Sequence, residues 1–463
     1  MSEAIYTVTN PATGEVEETF PTATDDEVMA ALERAYAARE RWRKVPLEEK
    51  IAIIERVAAE YDSRQEELAR IIGDEMGKPH GDATGEVWLS GDIHAYNAKH
   101  APEVLADEEL DLGERDGRAY MRKEPVGVIV GVMPWNYPYY QVARFAAPNL
   151  LLGNVILLKH APQCPRSAKV IEEIYHAAGV PKDVYQNLYA TNEQIAMLID
   201  DPRVQGVSLT GSERAGSAVG ERAGRNLKKA VLELGGSDPF IVLPDADIDK
   251  AVEDGILGRF ENSGQACNAA KRFILIGDET YDKFVPKFAE AVAGLKMGDP
   301  HDESTNIGPL VTEAAAKGIQ AQIDDAVDAG AEVVVGGKRP DGPGAYVTPT
   351  VLAGVTPQMR AWSEEIFGPV LPVSTFDTLD QVIALANDCE FGLTSSVYTT
   401  NLNEAFYVTR RLQFGETYIN RENFEAMQGF HAGWKKSGIG GADGKHGLEE
   451  YLQTQVVYLE TNI

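Results

Sequence analysis

Cysteine is scarce in this chain: there are three in 463 residues, Cys164, Cys267 and Cys389. Their spacing makes neither a metal-ligand pattern nor a disulfide framework, which argues against a stapled secreted scaffold and predicts a reducing, cytoplasmic setting with no bound metal. Long apolar runs are missing too; none approaches the ~18 residues of a membrane helix. The opening residues, Met1-Ser2-Glu3-Ala4, show no basic stretch leading into an apolar one, so no export signal is expected. Basic residues are in deficit, 43 Lys and Arg against 72 Asp and Glu, for a net charge of -29. That balance argues against nucleic acid or an anionic membrane as partner, since both are held through clustered Lys and Arg. It suits a saline host and an ordinary soluble enzyme equally well.

What is present is a globular composition, 44% apolar and 25% charged. At roughly 150 residues per domain the length allows two or three domains. Asp25 and Asp26 supply capping residues ahead of Val28, Met29, Leu32 and Ala35, which share one helical face. Ile51, Ile54, Val57, Ala58 and Tyr61 repeat the pattern, and Gly77 with Pro79 marks a helix end. From Val126 the pattern changes to short apolar runs at 126–133, 155–158, 184–188 and 206–209, separated by helical stretches such as 168–178. Strands buried on both faces and alternating with helices predict a parallel, doubly wound α/β sheet. A second alternation follows Gly235-Gly236: strand 240–243, a helix from Asp247, strand 272–276, helix 281–295 and strand 333–335. It predicts a second α/β domain. Residues 338–344, rich in Pro and Gly, read as a surface loop.

Two residues carry reactive chemistry in local settings that suit it. Cys267 lies in Asn262-Ser263-Gly264-Gln265-Ala266-Cys267-Asn268, where small neighbours leave the backbone uncrowded and polar ones surround the sulfur. A nucleophilic thiolate needs such a polar, accessible setting. A small buried hydrophobe is the alternative, and it suits Cys164 and Cys389 better. Glu233, in Leu232-Glu233-Leu234-Gly235-Gly236, sits among apolar residues at a strand end. It reads either as a general base tuned by those surroundings or as a carboxylate on a solvated face. Gly211-Ser212-Glu213-Arg214-Ala215-Gly216 follows a strand and opens a helix, an arrangement that presents N–H groups to a phosphate, though it is not G-x-G-x-x-G. Gly440 to His446 looks like a phosphate loop but has Ile439 for the first glycine and His446 for the magnesium-binding hydroxyl, so no nucleotide hydrolysis is expected.

Taken together, the segments Pro134-Trp135-Asn136-Tyr137-Pro138, Gly153-Asn154 with Lys159, Thr210-Gly211-Ser212, Leu232 to Gly236, Gly264 to Cys267 and Glu364 to Pro369 resemble the aldehyde dehydrogenase superfamily, in its order and over nearly the whole chain. The resemblance implies a Rossmann-like cofactor domain (1–106 and 126–235), a catalytic domain (236–452) and a small β extension for oligomers (107–125 and 453–463). A homodimer or homotetramer is the implied assembly. It implies catalysis by Cys267 as nucleophile, Glu233 as base and Asn136 as oxyanion donor. Trp135, Lys159, Gly211, Ser212, Glu365 and Phe367 are implied to bind the nicotinamide dinucleotide. Because relatives that pass the acyl group to coenzyme A or phosphate lack the base, Glu233 implies release of a free acid.

The resemblance divides over cofactor and substrate. Members preferring NAD usually carry an acid three residues after the lysine, whereas this chain has Pro162 there. NADP is therefore favoured over NAD. The centre of the chain resembles the short succinate-semialdehyde dehydrogenases. The tail, Gly415 to His431 and on through Gly447, resembles the lactaldehyde (glycolaldehyde) dehydrogenases, whose residues matching Arg144, Asn268, Glu425 and His431 are associated with a small hydroxyaldehyde. Oxidation of lactaldehyde or glycolaldehyde is the leading expectation and succinate semialdehyde the alternative. A non-catalytic protein of the same fold is the reading from another class.

Overall fold

The structure, a computed structural model, describes residues 5–422 and 426–460. Among the described residues a six-stranded sheet runs in the order Gly438–Ile439, Lys229–Glu233, Val204–Thr210, Val128–Val132, Val155–Lys159, Tyr185–Asn187. Every pair is parallel except the first, Gly438–Ile439 against Lys229–Glu233. The central runs are Val, Ile and Leu with both faces covered, which is why the expected parallel sheet forms. The chain winds outward from Val128–Val132 in one direction, then crosses to Val204–Thr210 on its other side. That reversal opens a crevice beyond the carboxyl ends of these two strands, where Trp135, Asn136, Gly211 and Ser212 follow.

From Glu233 only Leu234 to Ser237 separate the first sheet from the strand Asp238–Val242 of a second. The second sheet, also α/β, has the order Glu332–Val335, Thr350–Ala353, Val370–Phe376, Ala270–Ile276, Asp238–Val242, Ser396–Tyr398, Tyr418–Ile419, with only its first pair antiparallel. Phe240, Phe273 and Tyr398 stack along it at centroid distances of 4.2 and 4.5 Å. Cys267 and Glu365 precede the strands Ala270–Ile276 and Val370–Phe376, so they lie at the amino ends of this sheet and face the carboxyl ends of the first. A third sheet pairs Leu452–Leu459 with Arg118–Pro125 along eight residues, and Arg118–Pro125 with Glu108–Leu110.

Several details differ from expectation. The first helix, Asp25–Arg43, is capped by Thr24 in a reciprocal capping box with Glu27; Asp25 and Asp26 lie in its first turn, where they complement the helix dipole. A 25-residue helix, His80–Val104, had no apolar signature, because its buried side includes Glu86, Ser90 and His94. Gly438–Ile439, within the stretch 236–452 expected to belong to the catalytic domain, returns to the edge of the first sheet, where a Cβ on Gly438 would lie 2.7 Å from the Leu232 carbonyl. Cys164 is fully buried and burial pushes its thiol well up, whereas Cys389 is only half-buried. No described helix is long and apolar enough to cross a membrane.

Candidate active site

The turn before Cys267 is bent the left-handed way. Asn262, Ser263 and Gly264 have φ of 51, 56 and 76°, a conformation that side-chain-bearing residues avoid unless their surroundings hold them there. Asp82 accepts from the Asn262 amide at 2.8 Å, and the Asn262 side chain donates to the Asn136 and Gln265 carbonyls at 2.9 and 3.2 Å. Ser263 Oγ accepts from the Gly308 amide at 2.9 Å, and Gln265 Oε1 accepts from the Val311 amide at 3.0 Å. A Cβ at Gly264 would stand 2.4 Å from the Gly368 carbonyl, so this position requires glycine. Buried Lys271 closes the turn by donating to the carbonyls of Ala266, Cys267 and Ala269. The helix Tyr140–Leu152, which brings Gln141 and Arg144 to the site, is held in turn by Glu86. That carboxylate accepts the amides of Tyr139 and Tyr140 at 2.8 and 3.1 Å and pairs with buried Lys78.

Cys267 is half-exposed and lines two cavities. One, of about 220 Å³, is walled by Tyr137, Tyr140, Gln141, Arg144, Glu261, Asn268, Met427 and Asp443, among others. The other, of about 280 Å³, is walled by Trp135, Asn136, Gly211, Ser212, Gly235, Glu365 and Phe367 among others. It adjoins a further hollow that shares Trp135, Glu365 and Phe367. Trp135 and Phe367 meet edge to face at 5.5 Å. Ser212 caps the helix Glu213–Arg225, so the N–H groups of that helix open beside this second cavity. Asn136 Nδ2 donates to the Gln265 carbonyl at 3.0 Å, which fixes the amide beside the nucleophile turn.

Glu233 is 7% exposed and lines neither cavity. Its carboxylate borders a separate space of about 10 Å³, room for about one water at most, with Ser208, Thr210 and Tyr451. Gln141 and Arg144 partition that space from the Cys267 cavity, and Thr210 partitions it from the second. Arg144 lies 3.4 Å from Glu233 and 2.7 Å from Asp443. The backbones are nevertheless adjacent, since a Cβ on Gly236 would meet the Cys267 carbonyl at 2.6 Å. The acid thus stands behind the wall of the thiol's cavity, one side chain away, rather than facing the sulfur.

Other expected residues are distributed as follows. Glu365 accepts from the Gly236 amide at 3.1 Å and lies 3.3 Å from the Lys271 ammonium; burial raises its pKa, and Lys271 opposes that shift. Lys159, 6% exposed, ends its strand outside both cavities, makes a long 3.4 Å bond to the His160 carbonyl, and has its pKa pushed down to about 8 by burial. Asn268 is on the wall of the first cavity. His431, 3% exposed, is not; its Nδ1 is 2.9 Å from Glu416 and its Nε2 is 4.0 Å from Glu233. Glu425 lies outside the described residues. No described group of His, Cys, Asp and Glu is placed to hold a metal ion.

Sequence reasoning missed Gln141, Glu261, Asp443, Asp82 and Lys271. Glu261 accepts from Tyr137 Oη at 2.9 Å, and its charge, after burial, helps push buried Asp82 up to about 7. Asp443 was hidden in the glycine-rich stretch that imitates a phosphate loop; its φ of 67° turns the chain there. A search for charged residues next to the motifs would have found Glu261 and Lys271, but nothing in the sequence brings Asp82 to them.

Residues 1–457 match the profile of the aldehyde dehydrogenase family. A succinate-semialdehyde dehydrogenase of Deinococcus radiodurans, named for NADP(+), is 46% identical over 98% of this chain and 95% of its own length. Lactaldehyde dehydrogenase of Escherichia coli is 42% identical over 99% of this chain and 96% of its own. The crystal structure of the latter superposes with a TM-score of 0.95, covering 98% of this chain and 95% of that one. A succinic semialdehyde dehydrogenase from Streptococcus pyogenes in complex with NADP+ gives the same TM-score at 38% identity, covering 98% of this chain and all of that one. With its two opposed sheets and a thiol shared between two cavities, the chain belongs to the aldehyde dehydrogenase family.

Proposed function

We propose that the chain is an NAD(P)-dependent aldehyde dehydrogenase that oxidises a small neutral hydroxyaldehyde, lactaldehyde or glycolaldehyde, to its acid through a thioester on Cys267. The observation that carries the substrate choice is the charge of the cavity wall. Glu261 and Asp443 both line it, and its cation, Arg144, already stands between Asp443 and Glu233. A substrate bearing a remote carboxylate would enter against two like charges. At about 5 Å and an effective dielectric of about 20, one such contact costs about 3 kcal/mol. A hydroxyl group finds acceptors and donors on the same wall. Succinate semialdehyde remains the second reading, favoured by the name of the Deinococcus radiodurans relative.

The second cavity fits a nicotinamide dinucleotide: glycine at 211 and 235 opens its wall, a Cβ on Gly235 would meet Glu365 at 2.5 Å, and a helix N-terminus is positioned for phosphate. When bound, that group supplies the hydride acceptor. Trp135, Gly211, Ser212, Glu365 and Phe367 would hold it, and Lys159 would reach the adenosine ribose. With Pro162 where an acid would repel a 2′-phosphate, NADP is the favoured form, in keeping with the NADP+ complex of the Streptococcus pyogenes relative.

In this reading Cys267 attacks the aldehyde carbon, and the second N–H of Asn136 and the Cys267 amide receive the oxyanion. Once the thiohemiacetal has lost hydride, Cys267 carries the acyl group. Glu233 swings past Arg144 toward the cavity, takes a proton from water, and the resulting hydroxide displaces the thiolate to give the acid. Residues 1–106 and 126–235 would form the dinucleotide-binding domain and 236–452 the catalytic domain, less the returning strand Gly438–Ile439. Residues 107–125 with 453–463 would form an edge that pairs subunits into a homodimer or homotetramer. The test is kcat/KM for lactaldehyde, glycolaldehyde and succinate semialdehyde, each with NADP and with NAD. A hydroxyaldehyde is expected to lead by about tenfold or more; a lead for succinate semialdehyde would reverse the substrate assignment and leave the chemistry standing.

A further inference from the structure

Gly440 to His446 imitates a phosphate loop, but what it carries to the site is a carboxylate. Asp443 lines the Cys267 cavity, and its Oδ2 lies 2.7 Å from Nη2 of Arg144. The other arm of that guanidinium, Nη1, lies 3.4 Å from Glu233 Oε2, and its central carbon is 5.0 Å from the centroid of the Tyr140 ring. Side-chain exposure is 3% for Arg144 and 11% for Asp443, so solvent does little to screen their contact. The backbone holds Asp443 on both sides. Ala442, just before it, exchanges two 2.9 Å bonds with His431. Just after it, the Gly444 amide donates to the Met427 carbonyl at 2.9 Å, and the Gly447 amide donates to the carbonyl of Asp443 itself at 2.8 Å. A Cβ on Gly444 would stand 2.5 Å from the Gln428 and Gly429 carbonyls, so the turn is tightly packed behind the carboxylate.

We infer that Asp443 is a specificity-determining residue, a carboxylate built into the wall that holds the guanidinium a substrate carboxylate would otherwise seek. This rests on the hydroxyaldehyde reading of the same cavity. Arginine pairs with carboxylates through a planar fork of N–H groups, and here Asp443 already stands on that fork. An aldehyde with a remote carboxylate must displace Asp443 or approach beside it, and either route sets a further anion against one shared cation. A hydroxyl makes no such demand, because it can donate to Asp443 and leave the ion pair whole. Size does not sort these aldehydes: the cavity holds about 220 Å³, against the roughly 10–15 Å³ that one water needs. Charge has to do it. Asn at position 443 would keep the shape, remove the negative charge, and turn the same arginine into a receptor for an aldehyde that carries a carboxylate.

The test is kcat/KM for succinate semialdehyde relative to pentanal, a ratio that isolates the carboxylate, in wild type, Asp443→Asn and Asp443→Gly. Glycine suits the φ of 67° at this position and serves if Asn disturbs the turn. Both rates come from one preparation, so the folded fraction and any effect common to all aldehydes cancel. Removing one charge at this distance should raise the ratio about tenfold or more in both variants, chiefly through a lower KM for succinate semialdehyde. Arg144→Met added to Asp443→Asn should erase the gain. An unchanged ratio in both variants, or a gain that survives Arg144→Met, would overturn the inference. Glu261→Gln, which takes a different charge off the same wall, should move the ratio less than Asp443→Asn; an equal shift would make the total charge, not the Asp443–Arg144 pair, the determinant. The wild-type preference is scored separately with lactaldehyde. If succinate semialdehyde leads in wild type, the hydroxyaldehyde reading fails and the shift in ratio still decides the role of Asp443; if lactaldehyde leads and no shift appears, only the role of Asp443 is wrong.

Discussion

On the proposed function, Lys159 is the side chain that decides between cofactors. Burial pushes its pKa down to about 8, so in the free enzyme the ammonium is charged below that pH and neutral above it. If it pairs with a 2′-phosphate, kcat/KM for NADP should fall as pH rises through about 8, and that for NAD should fall less. Lys159→Met should depress NADP use about tenfold or more with NAD nearly unchanged; equal losses with both cofactors would remove Lys159 from phosphate recognition. At this scale the motifs were legible where chemistry dictates the residue type. Cys267, Asn136 and Glu233 stand in short segments of small and polar neighbours, and the structure brings all three segments to one place. Glu261, Asp443 and Asp82 were not legible, since their meaning lies in what faces them across the cavity or beneath the turn.

Buried carboxyls tie the elements together as well as serving the site. Glu422 accepts from Ser396 Oγ in the second sheet and packs on Gly258 of the helix Ile248–Phe260, where a Cβ would stand 2.2 Å from its Cγ. Burial first, then the charges of Asp238 and Asp254, raise its pKa to about 8, and the Ser396 bond only partly offsets this. The folded state therefore holds this proton between the ordinary carboxylate range and about pH 8, whereas the unfolded chain does not. The contribution is present at low pH and is lost as pH rises through that window. Glu422→Gln should leave Tm near wild type at pH 5 and raise it by about 2 °C or more at pH 9; a variant less stable at both would show that the ionised form is the one the fold holds. Among the elements, the parallel strands could be read because strands covered on both faces are continuous Val, Ile and Leu runs. The helix His80–Val104 could not, because it buries Glu86 and His94 to hold other elements, and the two-residue strand Gly438–Ile439 is too short to leave a periodic trace.

The whole molecule works by opposing two sheets, the carboxyl ends of one to the amino ends of the other. Neither half carries all of these residues: Asn136, Gly211, Ser212 and Glu233 come with the first sheet, Cys267 and Glu365 with the second, and the four residues Leu234 to Ser237 connect the two. On the proposed function, Glu233, turned toward Arg144 in this structure, completes a reaction begun by a sulfur on the other side of Gln141. Mass spectrometry of Glu233→Gln, quenched after mixing with lactaldehyde and NADP, examines that division of labour. One acyl group should accumulate per subunit on the peptide containing Cys267, and it should be absent from Cys267→Ser, which should also lose turnover. An unacylated Cys267 peptide, together with a Cys267→Ser variant that still oxidises the aldehyde, would contradict the mechanism outright.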